Sequence, residues 1–233
     1  MATTNQGSAR VSTLDRQFGH PSGVMGSVIE HKQLHQAAVD RLLLAQEDNV
    51  LEIGFGPGTA VKLAARHAGF VAGVDPSIEM VLQAKRRNRS AIRAGRVQLQ
   101  RASASTLPFA NETFNVVHEI NSFNHWDKKE SGLMEVLRVL KTGGRLLMVL
   151  RQGHSSLESD LEMLLGSLAR IGFSQIEAER HQFGHGGVFV TARKPRSCLT
   201  AALIGKGAQS SMTQITCPSR SCSSSANDLA ATT

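Results

Sequence analysis

Three glycines at every second position, placed after an apolar run, constrain the fold of this chain most strongly. The run from Asn49 to Ile53 contains β-branched residues, which predicts a buried strand. Gly54, Gly56 and Gly58 follow it, and the sequence from Thr59 onward is typical of the start of a helix. A strand, a glycine turn and a helix N-terminus let backbone lie against a ligand without an intervening Cβ. The stretch therefore predicts an α/β fold with a ligand site at the carboxyl ends of its strands.

The spacing of these glycines argues against a nicotinamide- or flavin-binding turn. The dinucleotide fingerprint needs glycine at its first, third and sixth positions, and the sixth position counted from Gly54 is Thr59. The observed pattern, with Glu52 two residues before Gly54, resembles motif I of the class I S-adenosylmethionine (SAM) methyltransferases. The alternative is a plain strand-to-helix turn with no ligand.

The resemblance covers about residues 18 to 194 and implies both a fold and a cofactor. The fold would be Rossmann-like α/β, a mostly parallel seven-stranded sheet with an antiparallel last strand and helices on both faces. The cofactor would be SAM, held by Glu52, Gly54, Gly56 and Gly58 among others.

A second apolar run, residues 70–75, predicts another buried strand, and it ends in Asp75. A carboxylate at this place accepts hydrogen bonds from the ribose hydroxyls of a nucleotide-like ligand. In the methyltransferases that the chain resembles, the matching acid has this role, so we expect Asp75 and Pro76 in the cofactor site. The alternative for Asp75 is a turn residue or cap, with Ser77 as the N-cap of the next helix.

Two positions depart from the pattern of that family. Residues 102–109 resemble its next signature, in which an acid and an alanine precede a Leu-Pro-Phe turn. By this alignment the acid that holds the adenine amino group falls on Ser103, with Ala104 beside it, and the uncharged serine predicts weaker cofactor affinity. Asn115 replaces a common Asp near the start of the fourth strand. The end of that strand, from Asn121 to Trp126, is expected to border the cofactor and substrate.

The remaining periodicities complete the predicted order of elements. Helices are predicted at residues 29–45, 59–67, 78–92, 129–140 and 157–171, and further strands at 97–100, 114–121, 146–150, 172–179 and 187–193. The double glycine at 143–144 is expected to end the helix before it.

Histidines are the candidate general bases. Transfer to an amine requires only that the amine is neutral, whereas a hydroxyl or an acidic carbon usually needs a base. His125 is the first choice because it follows the fourth strand next to Trp126, which either lines the pocket or belongs to the core. His118, His20 and His154 are the other candidates, and for each of the four a packed or surface histidine is the alternative.

No metal site is predicted. His31 and His35 are four residues apart on a predicted helix, but a third ligand is not evident. The three cysteines, Cys198, Cys217 and Cys222, lie near the C-terminus without the spacing of a zinc knuckle.

The formal net charge is +7, and much of the excess lies between Lys85 and Arg101. A solvated helix face explains this cluster without a ligand, and nucleic acid is an unlikely partner because exposed aromatics and a recognisable motif are missing. The overall pattern is similar to small-molecule methyltransferases of the type 11 and ubiquinone-biosynthesis-like kind, which implies a metabolite as methyl acceptor at O, N or C. Two alternatives stay open: a non-catalytic SAM-binding module, and a nucleic-acid methyltransferase that uses the basic cluster.

The domain organisation follows from composition. Residues 1–16 are polar and expected to be disordered, residues 17–194 form the methyltransferase-like domain with a lid and helix at 17–48, and residues 195–233 form a disordered Ser/Thr-rich tail. The start lacks the apolar core of a signal peptide, and apolar runs of membrane-spanning length are absent. We therefore expect a cytoplasmic monomer or homodimer.

Overall fold

The computed structural model describes residues 24–151, 156–181 and 187–196, with side chains from residue 31 onward. The chain divides into two units, residues 1–198 and 199–233, and all described residues belong to the first. The predicted disordered N-terminus, residues 17–23 and nearly all of the predicted tail lie outside the described residues, as do His20 and His154.

Helices and strands alternate along the described part of the chain. The helices are α1 (Val24–Arg41), α2 (Thr59–Ala64), α3 (Ile78–Arg87), α4 (Arg89–Arg93), α5 (Lys129–Val139) and α6 (Leu157–Ile171), with a 3₁₀ turn at Phe123–His125. The strands are β1 (Asn49–Ile53), β2 (Phe70–Asp75), β3 (Val97–Arg101), β4 (Phe114–Ile120), β5 (Leu140–Arg151), β6 (Ser174–His181) and β7 (Gly187–Arg193).

The strands form one seven-stranded sheet in the order β3-β2-β1-β4-β5-β7-β6. The first five in chain order are parallel, and β7 runs antiparallel to both β5 and β6. This confirms the predicted mostly parallel sheet with an antiparallel last strand. Because the chain moves outward from β1 to β3 and then returns to β4, the order reverses between β1 and β4, and ligands bind beside such a reversal.

Both faces of the sheet are covered. Leu51 and Ile53 of β1 belong to a core that includes Leu133 of α5 and Leu164 of α6. Val50 of the same strand belongs to a second core with residues of α1, α2 and α3. Alternation of side chains along a strand therefore places Glu52 on the face of Val50. Within the described ranges, the helices lack the length and apolar character that a membrane crossing requires.

The predicted bounds of α1 were wrong at both ends. The helix begins at Val24 and ends at Arg41, rather than running from 29 to 45. Leu43, which falls inside the predicted helix, has a φ of +47° and is 79% exposed. The amides of Leu42 and Leu43 bond to carbonyls three residues back, which tightens the last turn and ends the helix early.

The predicted helix 78–92 is two helices that meet at Asn88. The buried side chain of Asn88 donates to the carbonyls of Ala84, at 2.9 Å, and Gly58, at 3.1 Å. This second bond attaches the end of α3 to the glycine turn. The predicted N-cap is confirmed, since the Ser77 hydroxyl accepts from the Met80 amide at 3.2 Å.

The double glycine at 143–144 was predicted to end a helix. It lies inside β5 instead. That strand begins directly at Leu140, and its pairing with β4 shifts register between Phe114 and Val116. At this bulge the Asn115 Oδ1 accepts from the Asn49 amide at 3.0 Å and from Lys141 Nζ at 3.2 Å. Asn115 therefore joins β1, β4 and β5 at the amino ends of β1 and β4, opposite the predicted ligand site.

Candidate functional site

A cavity of about 1050 Å³ opens at the carboxyl ends of the first four strands. Eight of the ten residues predicted for the site line it: Gly54, Gly56, Asp75, Pro76, Ser103, Ala104, Asn121 and His125. Glu52 and Gly58 do not line it.

The three glycines of the turn have different structural roles. A Cβ on Gly54 would stand 2.4 Å from Cβ of Ser122, and one on Gly58 would stand 2.7 Å from Cβ of Ala84. A Cβ on Gly56 would meet nothing within 4 Å. Gly54 and Gly58 are therefore required by packing, and Gly56 is the position where backbone faces open cavity. All three have positive φ, between +51° and +76°, a region that favours glycine.

Asp75 holds the turn together from the end of β2. Its Oδ2 accepts from the Gly56 amide at 2.8 Å, and its Oδ1 accepts from the Ser77 amide at 2.9 Å. The predicted structural role of Asp75 is thus real. Each carboxylate oxygen has a further lone pair, so both roles are chemically compatible.

Glu52 is buried beside the turn, with only 1% of its surface exposed. Burial raises the pKa of Glu52 well above its usual range, and the nearby charge of Asp75 raises it further. Its Oε2 has no hydrogen-bond partner among the described residues. Both effects favour the protonated, neutral form of the Glu52 carboxyl.

Ser103 and Ala104 line the cavity beyond the end of β3. The Ser103 hydroxyl lies 3.1 Å from that of Ser105 and accepts from the Ser105 amide at 3.3 Å. Ser103 is half-buried, so its hydroxyl can also bond to a ligand.

Glu119 and Ser122 hold the turn after β4, and sequence reasoning missed the role of Glu119, which lies behind the cavity lining. Glu119 Oε2 accepts from the amides of Ser122 and Phe123, at 2.8 and 2.9 Å, and Oε1 accepts from Val149 at 3.2 Å. Burial raises the pKa of Glu119 to about 7, although these donors oppose the shift. Glu119 thereby fixes the turn after β4, which places Ser122 against Gly54. The available signal was an acid within a strand that the sequence predicts at the centre of the sheet.

The residues after β4 form one wall of the cavity. Asn121 has a φ of +57°, which an amide side chain tolerates better than most. Trp126 is 8% exposed, donates from Nε1 to the Ser122 hydroxyl at 3.4 Å, and packs edge-on against Phe123. Trp126 is therefore both a cavity wall and a core residue, while His125 is exposed at the rim.

His118 lies behind the cavity wall, whereas His35 is part of the lining. His118 is fully buried and outside the lining, and burial lowers its pKa to about 3. Neither of its ring nitrogens has a partner among the described residues. His118 is thus the packed histidine that the sequence left as an alternative. Among the residues described, no group of three or more His, Cys, Asp or Glu could hold a metal ion.

Residues 50–144 match the sequence family described as "Methyltransferase domain". The matched segment contains the glycine turn, the ends of β2 and β3, and the whole wall after β4.

Curated relatives match parts of the chain. The chain is 35% identical to the O-methyltransferase resE of Aspergillus sclerotiorum over 46% of this chain and 40% of that protein. It is 26% identical to the uncharacterized methyltransferase YdaC of Bacillus subtilis (strain 168) over 71% of this chain and 94% of that protein. The aligned stretch covers less than half the length of several further O-methyltransferase relatives.

Solved structures share the fold. The crystal structure of the (4+2)-cyclase SpnF has a TM-score of 0.61 and 22% identity, and the match covers 71% of this chain and 82% of that one. At this identity the likeness establishes the fold alone.

Proposed function

We propose that this chain, which belongs to the class I SAM-dependent methyltransferase family, binds SAM in the cavity and transfers its methyl group to an O, N or C atom of a small molecule. The observation that carries the proposal is Gly56. It faces open cavity in a turn whose other two glycines are needed for packing. Backbone exposed in this way between two strand ends is what a nucleotide-like ligand requires.

The residues around the turn fit SAM. Asp75 lines the cavity and keeps lone pairs for ribose hydroxyls, while Ser103 and Ala104 lie at the next strand end, where adenine is expected. Asn121 and Pro76 line the same cavity and complete the cofactor set that we propose. We assign Glu52 and Gly58 supporting roles, because neither lines the cavity.

SAM supplies a methyl group on a positively charged sulfur, and the transfer is an in-line displacement. The chain's contribution is to hold the acceptor atom in line, which can lower the barrier by up to roughly 7–11 kcal/mol in ideal cases. The wall fixed by Glu119 and Ser122 supports such positioning, since the Ser122 hydroxyl donates to the Ile53 carbonyl of β1 and the Glu119 carboxylate accepts from the Val149 amide of β5.

His125 is our candidate for the proton acceptor when the acceptor is a hydroxyl or an acidic carbon. It lies at the rim of the cavity, where one ring nitrogen can take the acceptor's proton while solvent reaches the other. We expect His125→Ala to lower kcat about 100-fold or more for such acceptors. The SAM dissociation constant of the variant should be unchanged, and equal turnover by both proteins would remove His125 from this role.

Calorimetric titration tests the proposal most directly. The full chain is titrated with SAM and, in parallel, with NADH, and then tested for transfer of labelled methyl from SAM to a panel of phenols, amines and carbon acids. We expect SAM binding without NADH binding, followed by labelled product. NADH binding, or the absence of SAM binding, would contradict the proposal.

One observation favours a second candidate function, a SAM-binding protein that does not transfer the methyl group. Ser103 lines the cavity where the family pattern has an acid, so the proposed adenine contact lacks that charge. SAM binding with no transfer to any acceptor would favour this candidate. The nucleic-acid alternative is weaker, because Arg96 and Arg101 of the basic cluster bond to the carbonyls of Ala65 and Pro76 within this chain.

A cytoplasmic location, a monomeric or homodimeric state, and the domain limits 17–194 with a lid at 17–48 complete the proposal. Imaging of a tagged chain, sedimentation and limited proteolysis test these three points.

A further inference from the structure

The cavity extends past the strand ends into a second region between the helices. There its lining includes four cationic side chains. These are Lys32 of α1, Lys62 of α2, Arg66 just after α2, and Arg87 of α3. Lys62 and Arg66 are four residues apart, the spacing that puts side chains on one face of a helical turn. We call these four residues the cationic wall.

The cationic wall is not neutralised by carboxylates of the described residues. None of its four members forms an ion pair with a carboxylate among the described residues, whereas other cations do, such as Arg138 with Glu135 at 2.7 Å. Arg87 donates to the Thr59 hydroxyl, which is neutral. The acids that line the cavity are Asp75, which already accepts two backbone amides, and Asp127.

Within the part of the chain that the structure describes, His35 adds an unpartnered polar atom to this region of the cavity. It lines this region of the cavity, and its Nδ1 is buried without a partner among the described residues. Burial, with smaller contributions from the neighbouring His31 and Arg87, lowers the pKa of His35 to about 4. His35 is therefore neutral at neutral pH, and one ring nitrogen is free to accept a hydrogen bond.

The proposed cofactor would not neutralise this wall. The ammonium and carboxylate of SAM cancel, and its sulfonium adds one positive charge. With SAM bound, the lining that the structure describes would hold four exposed cationic side chains and the sulfonium against two carboxylates. A negative charge is the missing component of such a site.

We infer that the acceptor is a small organic anion with a sizeable apolar body, whose negative group binds the cationic wall. Leu63, Ile120 and Trp126 line the same cavity and would contact the apolar body. The inference names the acceptor class for the proposed methyltransferase site and rests on that function. Carboxylates, sulfonates and phosphate esters share the negatively charged oxygen atoms that the lysines and arginines of the wall would bind.

Two fluorescent probes of one skeleton test the inference. 8-Anilinonaphthalene-1-sulfonate carries a negative charge, and N-phenyl-1-naphthylamine is the same ring system without it. Each is titrated into the full chain with and without saturating S-adenosylhomocysteine. We expect the sulfonate to bind at least about tenfold more tightly than the neutral probe, and added salt to reduce the difference.

A matched pair of variants locates the binding. Lys62→Gln/Arg66→Gln removes two charges from the cationic wall, and Lys85→Gln/Arg86→Gln removes two charges from exposed positions of α3 outside the cavity. The first should lose the preference for the sulfonate and leave the neutral probe unchanged. The second should behave as the parent does.

The affinity for S-adenosylhomocysteine, measured calorimetrically on all three proteins, separates this inference from the proposed function. Equal affinity for the two probes, or an equal loss in both variants, would overturn the anionic acceptor and leave the methyltransferase proposal standing. A Lys62→Gln/Arg66→Gln variant that loses S-adenosylhomocysteine binding as strongly as sulfonate binding would assign the wall to the cofactor and overturn the inference. If the parent does not bind S-adenosylhomocysteine, the proposed function fails, and the probe comparison without it still decides whether the wall binds an anion.

Discussion

Replacing Gly56 with alanine tests where the cofactor lies, because the chain offers a matched control. Gly56 has a φ of +51°, and an added Cβ would meet nothing within 4 Å. Gly95, in the turn after α4, has a φ of +70° and is equally free of neighbours, but it does not line the cavity. Alanine at either position therefore costs only the left-handed backbone, about 1–2 kcal/mol.

The two variants should differ only in ligand binding. Each should lower the Tm by a few degrees, since 1 kcal/mol corresponds to roughly 2–4 °C for a domain of this size. At Gly56 the new methyl group occupies space that we assign to SAM, and overfilling of this kind costs about 1–3 kcal/mol. The SAM dissociation constant should therefore rise about 5- to 150-fold in Gly56→Ala and stay unchanged in Gly95→Ala.

Calorimetric titration with SAM and a thermal scan of the same samples provide both quantities. The amide of Gly56 that bonds to Asp75 is retained in the alanine variant, so a loss of affinity would not come from this hydrogen bond. An unchanged SAM affinity in Gly56→Ala would refute the site assignment. An equal loss of affinity in Gly95→Ala would show that general destabilisation, and not the occupied space, is responsible.

Three further predictions concern other parts of the site. Gly54→Ala should cost about 2–4 kcal/mol, because its Cβ would lie 2.4 Å from that of Ser122; Ser122→Gly in the same chain should recover part of this loss in denaturant unfolding, and strict additivity of the two changes would contradict the contact. Ser103→Asp should tighten SAM binding by about 1 kcal/mol or more in calorimetry, and weaker binding would show that adenine lies elsewhere. The pKa of His118 is lowered to about 3 in the folded chain, so below the ordinary pKa of histidine only the unfolded chain binds the proton, and the free energy of unfolding decreases as the pH falls. Relative to the parent, His118→Leu should therefore gain about 2 kcal/mol of stability between pH 7.5 and pH 5. Parallel profiles of stability against pH would contradict this.

The central strands could be predicted almost to the residue, because their signal is local. The observed bounds of β1 and β2 agree with apolar runs that end where the chain must turn. Strands buried on both faces by helices have few alternatives to such runs. The antiparallel β7 was found in the same way.

The errors occur where a distant contact overrides the local pattern. The helical periodicity from 78 to 92 is real, yet Asn88 bonds to the carbonyl of Gly58, 30 residues away, and the helix breaks there. The glycines at 143–144 are a reasonable helix stop by local criteria. Only the pairing of β5 with β4 shows that they lie in a bulge of a longer strand.

The position of the cavity was predictable from the sequence, whereas the contacts that shape it were not. The sequence indicates that three glycines matter, but the packing of Ser122 against Gly54 exists only once β1 and β4 are neighbours. The same holds for Glu119, whose donors come from the turn after β4 and from β5. The cationic wall was equally hidden, because its members come from three separate helical segments.

The two departures from the family pattern carry different weight once the fold is known. As sequence, Asn115 and Ser103 are equivalent, since each replaces an acid with a neutral polar residue. In the fold, Asn115 lies at the amino end of β4 and accepts hydrogen bonds from β1 and β5, whereas Ser103 lines the cavity at the carboxyl end of β3. An amide oxygen serves the first position as well as a carboxylate would, because both donors there need only an acceptor. The argument that this chain binds SAM weakly, or binds it without turnover, therefore depends on Ser103 alone, and the Ser103→Asp variant addresses the whole of it.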